Sequence, residues 1–365
     1  MESPTLNAGR MIAGSARFRK AQGRLKSGGH TVFRRPLYRF SESVWALPAI
    51  PLQSPKSNPQ PPFFRRPATT SNQIMQTLLT LLFKLTAALP LPLLHRIAKF
   101  WGGLAFHLRK EDYARVYAHM AQAGLNPDDA AVKQVFQETA KGALELAVAF
   151  FRRPEEIETL FTEIRGWEHV QTALNQGNGL LFITPHLGSY DLAGRYISQQ
   201  LPFPLTAMYK PPKIKMFDAV MQAGRVRGKG KTAPTNIQGV KQIIKALRSG
   251  EATIILPDHV PSPEEGGDGV WADFFGKPAY TMTLAGKLAQ VKNVTALFFC
   301  GERLPKGKGF VLHIEPLQGG LNGDKEHDAR LINQNVENWI RRFPFQYLFM
   351  YNRYKHPRGG ARAEG

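Results

Sequence analysis

The side chains best placed for chemistry are a histidine and a following aspartate in the segment Thr184-Pro185-His186-Leu187-Gly188-Ser189-Tyr190-Asp191. A carboxylate on one imidazole nitrogen fixes the tautomer and stabilises the imidazolium. The other nitrogen is then free to take a proton from an alcohol. Gly188 and Ser189 let the backbone turn tightly between the two groups. The spacing alone is weak evidence, because His107 with Asp112 and His259 with Glu264 repeat it. His107 falls in a basic helix-to-loop stretch, and His259 opens a loop rich in Pro and Gly. Only His186 follows a short apolar strand and precedes a helix; the alternative is a satisfied structural histidine at a helix start.

Other chemistries find little support. There is no Gly-x-Ser-x-Gly elbow, and Gly-Lys-Gly-Lys at 228–231 is not a phosphate-binding P-loop. The acids Glu264, Glu265, Asp268 and Asp273 fit no calcium loop and read as a solvated loop. The single cysteine, Cys300, excludes an intramolecular disulfide and a Cys-based metal site.

Two cationic segments stand out. Residues 209–215 and 224–231 together hold Lys210, Lys213, Lys215, Arg225, Arg227, Lys229 and Lys231. These are candidates for gripping phosphate or an acidic carrier protein, against a plain solvated face. The ending Gln346–Lys355 mixes aromatic and basic residues, which fits a membrane interface or stacking on nucleic acid. The interface is the preferred reading, since no nucleic-acid motif accompanies it.

These residues need a scaffold, and the pattern supplies one. Apolar runs at Gly179–Thr184, Leu205–Tyr209, Ala252–Leu256, Thr295–Cys300 and Phe310–Ile314 read as buried strands. Helical patterns fall between and around them, at 189–199, 214–223, 237–247, 283–290 and 329–341, with a helical stretch from Tyr113 to Phe161. The alternation predicts an α/β fold with a mixed, largely parallel sheet flanked by helices, its site beyond the carboxyl ends of strands.

The formal net charge is +20, which points to a polyanionic partner. Residues 1–74 carry twelve Lys/Arg against two Glu, with nine prolines and no sustained period. They read as a disordered, basic, Pro-rich extension, with Met75 the candidate functional start. Residues 75–110 read as a hydrophobic membrane-anchoring helix. The run Met75–Leu94 is broken by Lys84, Pro90 and Pro92 and followed by Arg96, Lys99, Arg109 and Lys110. An interfacial or shallowly inserted anchor is as compatible with it as a span. Residues 111–355 form the main domain and 356–365 a flexible tail.

Three ordered blocks resemble one family. Phe182–Asp191 resembles the His-x4-Asp/Glu block of glycerolipid and lipid A acyltransferases. Leu256-Pro257-Asp258-His259, with Trp271–Ala279 and Thr281, is similar to the second block of the late (secondary, lauroyl/myristoyl) lipid A acyltransferases. Pro344–Lys355 is similar to that family's ending. His259 stands where the family usually has Gln, and Phe345 where it usually has Glu.

The resemblance implies a glycerolipid-acyltransferase-like fold on the cytosolic face of the inner membrane. It implies an acyl thioester of acyl carrier protein as donor and no cofactor. The acceptor would be a hydroxyl on a hydroxyacyl chain of a phosphorylated, Kdo-bearing lipid A precursor. His186 would be the general base and Asp191 its orienting partner. Lys210, Lys213, Arg225 and Arg227 are inferred substrate contacts. Asp258 and Arg353 are carried over with roles open, and nucleic acid is not an expected partner. The rivals are a lysophospholipid or glycerol-phosphate acyltransferase, and a non-catalytic basic binding protein.

Overall fold

A computed structural model describes residues 70–210 and 217–357. The expectation for residues 1–74 therefore lies outside the described residues up to residue 69, as do Lys213 and residues 358–365 of the tail.

Two helices lead the described chain: α1 (Thr70–Ala88) and α2 (Leu91–Leu108). The helix begins ahead of Met75. Pro90 is the cap of α2 and Pro92 sits in its first turn, where a missing N–H costs nothing. There the chain bends by 117°. No single helix among the described residues is long and apolar enough to cross a membrane, though this bent pair passes a length and composition test together. The anchor read over 75–110 is thus two helices. On α2, Leu91, Leu94, Ala98 and Phe106 enter the core. Gly102 is required there, because a Cβ would strike the backbone at Gln137. The opposite faces expose Ile74, Met75, Leu78, Leu81, Leu82 and Leu85 on α1, and Leu93, Phe100, Trp101, Leu104 and Leu108 on α2.

Next come α3 (Lys110–Gln122) and α4 (Asp129–Phe151), the latter capped by the Asp128 carboxylate accepting from Ala131 N at 2.7 Å. The alternating part follows: α5 (Pro154–Glu158), β1 (Phe161–Arg165), α6 (Trp167–Asn175), β2 (Gly179–Ile183) and α7 (Tyr190–Gln200). Then come β3 (Leu205–Tyr209), α8 (Asp218–Arg225), β4 (Gly230–Pro234), α9 (Ile237–Arg248) and β5 (Ala252–Ile255). The chain closes with β6 (Gly269–Phe274), β7 (Lys277–Met282), α10 (Leu284–Ala289), β8 (Val294–Arg303), β9 (Phe310–Pro316) and α11 (Lys325–Arg342).

Seven strands make one sheet in the order β1-β9-β8-β2-β5-β3-β4. The neighbours from β8 to β4 are all parallel; β9 runs against β8, and β1 lies parallel to β9. The mixed, largely parallel sheet expected from the sequence is present. Both faces are covered, which is why the central strands are apolar throughout. Leu180 and Phe182 of β2 pack with α2, α6 and α7, while Leu181 and Ile183 pack with α9, α10 and α11. The side chains alternate as the pleat requires, and α4 reaches both layers.

The ending Gln346–Lys355 packs in part against the main domain. Tyr347 and Phe349 join the core, and Arg353 is buried. Aromatic rings that can fill a core contribute more there than on a wet surface.

Candidate active site

β2 delivers Thr184, Pro185 and His186 beyond its carboxyl end, next to β5. The two strands pair in register, Ile183 opposite Ile255, and Thr184 N donates to Ile255 O at 3.1 Å. His186 and Asp258 lie equally far past those paired ends, so register alone brings them side by side. The Asp258 carboxylate takes two bonds from His186: its Oδ1 lies 2.8 Å from ring Nδ1, and its Oδ2 accepts the backbone N–H at 2.9 Å. Asp258 is 2 % exposed. Burial works against its charge, but the charge and hydrogen bond of His186 outweigh that and hold the carboxyl well below its ordinary range. With Nδ1 engaged, Nε2 is the nitrogen at which the ring can exchange a proton.

This reassigns a role. The sequence reading gave the orienting carboxylate to Asp191. In the structure Asp191 sits in the first turn of α7, with its Oδ1 3.9 Å from Arg225 Nη2. Burial raises its carboxyl, against the charges of Arg225 and His186. The helix turns Asp191 toward the cavity wall, so Asp258 holds the imidazole and Asp191 borders the space before it.

The turn carrying His186 is clamped. Gly188 has φ +62°, and a Cβ there would collide with the Gly301 carbonyl. Gly188 N donates to Gln346 O at 3.0 Å, Ser189 N to Gly301 O at 2.8 Å, and Leu348 N to His186 O at 3.0 Å. Below lies a buried ion network. Arg303 grips Glu145 with Nε and Nη2 at 2.6 and 2.7 Å, Glu138 with Nη1 at 2.7 Å, and Gly188 O with Nη2 at 3.3 Å. His95 of α2 lies 2.7 Å from Glu145. Burial opposes the Glu145 charge, yet the charge and bonds of Arg303 bring its carboxyl down to about 2. None of this network was singled out from the sequence.

His259, set aside in the sequence reading for its loop context, packs face to face on His186. The ring centroids are 3.8 Å apart and the planes 9° apart. Tyr351 covers its other face at 4.0 Å. Only folding could show this, because the two histidines lie 73 positions apart in the chain.

Beside His186 opens a cavity of about 190 Å³. Its walls include Phe150, Gly194, Leu205, Ala207, Ile254 and Leu256; Tyr190, Asp191, Arg225 and Lys231 add polar groups, and Arg195 and Ser198 of α7 also line it. Ser198 lies eight residues along α7 from Tyr190, so the cavity extends ~12 Å from the His186 turn. Arg225, a candidate phosphate or carrier contact, lines it. Lys210 follows β3 and is exposed. Two expectations shift. Arg227 donates Nη1 to Phe150 O and Arg152 O at 2.8 and 3.0 Å, capping α4, and lines a neighbouring cavity of about 630 Å³ with Lys84 and Arg152. Arg353 donates to Tyr280 O, Thr281 Oγ1 and Asn333 Oδ1, tying β7 to α11 and not facing the cavity by His186.

A buried carboxylate–imidazole pair at the mouth of an apolar cavity with cations around it can deprotonate an alcohol beside a bound apolar chain. The chain is also similar to known proteins. Residues 62–356 match the family described as bacterial lipid A biosynthesis acyltransferase. The chain is 27% identical over 277 residues to the lipid A biosynthesis lauroyltransferase of Escherichia coli, covering 74% of this chain and 88% of that protein. It is 26% identical over 274 residues to the palmitoleoyltransferase of the same organism, covering 73% and 86%. A lipid A biosynthesis acyltransferase of Haemophilus influenzae is 29% identical over 190 residues, covering 52% and 58%.

Proposed function

This chain belongs to the bacterial lipid A biosynthesis acyltransferase family, and from that membership we propose its particular reaction. It transfers a lauroyl or myristoyl chain from acyl carrier protein to a hydroxyl on a hydroxyacyl chain of a phosphorylated, Kdo-bearing lipid A precursor. His186 Nε2 takes the hydroxyl proton as the oxygen attacks the thioester carbonyl. The C–O bond forms, the C–S bond breaks, and the thiolate leaves with the proton from His186. Asp258 stays ionised and steadies the imidazolium. The observation that carries this reading is the Asp258–His186 pair opening onto an apolar cavity. Arg225 and Lys231, with Lys210 and Lys213 nearby in sequence, would meet the phosphates or the acidic carrier.

The acceptor is a membrane lipid, and the exposed apolar faces of α1 and α2 would hold the site at the cytosolic surface of the inner membrane. The exposed residues of α1 recur at helical spacing, so one stripe enters the lipid. Each well-buried large side chain contributes roughly 1.5–3 kcal/mol. Mass spectrometry of lipid A tests the function. Expression in an acylation-deficient strain should add one acyl chain to lipid A, and His186→Ala should not. An unchanged lipid A with folded protein present at normal level refutes the reading.

A further inference from the structure

The Asp258 bond anchors His186 at Nδ1, but one hydrogen bond does not stop the ring from tilting about that contact. Tilt would swing Nε2 away from the acceptor hydroxyl. Two rings oppose it. Tyr190 meets His186 edge-on, with centroids 5.0 Å apart and planes at 70°. His259 lies flat on it at 3.8 Å and 9°. His259 is itself fixed from behind by Tyr351, whose hydroxyl accepts the Val260 N–H at 2.9 Å and whose outer face carries the Lys355 ammonium at 5.0 Å. The column His186–His259–Tyr351–Lys355 thus joins the loop after β5 to the C-terminal segment.

We infer that His259 is a positioning residue for the transfer: an uncharged planar ring that fixes the plane of His186 without exchanging protons itself. The inference rests on His186 being the base. Two observations support the uncharged state, one geometric and one electrostatic. The Nε2 of His259 is buried with no hydrogen-bond partner among the described residues. The groups around it are mixed: Asp258 favours a charge, while His186, Lys355 and Arg353 oppose one. Burial first, then the charge of His186, lowers its affinity for a proton to a pKa of about 3. Two stacked imidazoles in van der Waals contact cannot both carry a proton cheaply, and His186 must become cationic in each turnover. A neutral neighbour allows that; a cationic one would resist it.

The test separates planarity from nitrogen chemistry. Steady-state transfer is measured for full-length wild type, His186→Ala, His259→Phe and His259→Leu, with thermal unfolding as a folding check. Phe keeps a flat ring without nitrogens; Leu is apolar and of similar bulk but not flat. Misorientation of a catalytic group costs up to ~100-fold. His259→Leu should therefore lose roughly 10–100-fold in kcat with KM for both substrates nearly unchanged. His259→Phe should stay within about threefold of wild type. Wild-type kcat in His259→Leu would overturn the inference, and so would a His259→Phe loss as large as that of Leu, which would mean that the imidazole nitrogens act. If His259→Leu does not fold, Tyr351→Leu removes the backing ring and should show the same kcat-only loss; full activity there is contrary. An active His186→Ala would sink the base assignment itself, whereas an inactive His186→Ala beside an unimpaired His259→Leu sinks only the role of His259.

Discussion

Beneath the His186 turn, buried charges are matched; along the cavity wall built by α7 and the α8–β4 turn, they are not. In the first region Arg303 and Glu145, each 1 % exposed in the side chain, bind one another, and Glu138, Lys141 and His95 complete the set. In the second, Arg195, Arg225 and Lys231 line the cavity with a single carboxylate, Asp191. The Nε atoms of Arg195 and Arg225 and the hydroxyl of Ser198 are buried without partners among the described residues. Burial, then the charge of Arg227, brings the Arg195 guanidinium down to about 10. Matched charges hold a backbone in one place, whereas unmatched donors keep hydrogen-bonding capacity for something that arrives. The network beneath the turn and the cavity wall thus divide the work between rigidity and reception.

The sharpest way to break this comparison is to remove the central cation. Arg303→Met leaves Glu145 and Glu138 buried without their partner and should cost about 3–5 kcal/mol. Urea unfolding in detergent reads the loss, and a change under about 1 kcal/mol would show that the network is no clamp. A smaller, different effect is expected on the other wall. Arg225→Gln should raise KM for the phosphorylated acceptor about tenfold, as loss of a charge-assisted contact does. The melting temperature should hardly move. A destabilised Arg225→Gln with unchanged KM would make that wall structural.

The smallest effect is in pH dependence. The folded-state pKa of His259, about 3, lies below the ordinary 6.5, so the unfolded chain binds the proton more tightly. The associated stability is present above about pH 6.5 and is lost as pH falls toward 3. Glu145 behaves alike in a lower window, from about 4.5 down to about 2. His259→Phe should therefore lose less melting temperature than wild type between pH 7 and pH 5. Equal slopes would mean that His259 is not held neutral by the fold.

What the sequence revealed follows from burial. The central strands β2, β5 and β8 are covered on both faces, so their apolar runs announced them. β1 and β4 were missed because both are sheet edges. Phe161–Arg165 buries only its first residue fully, and Gly230–Pro234 is short, polar and Pro-ended, as an edge strand tends to be. The β6–β7 hairpin shows in the sequence only as a motif. At the site, His186 was legible from its place between strand and helix. The pairing with Asp258 was not, since it depends on the register of β2 against β5. The stacking of His259 depends in turn on where Asp258 is held.

The central claim is that Asp258, and not Asp191, holds the base. The most direct test is the single-turnover rate of acyl transfer for His186→Ala, Asp258→Asn and Asp191→Asn side by side, in folded enzyme. Loss of the base should cost about 10²–10⁴ in rate. Asp258→Asn should fall within about tenfold of His186→Ala, because the two act as one unit, and Asp191→Asn should be clearly milder. An Asp191→Asn enzyme as slow as His186→Ala, beside an Asp258→Asn enzyme that keeps most of its rate, would contradict the account.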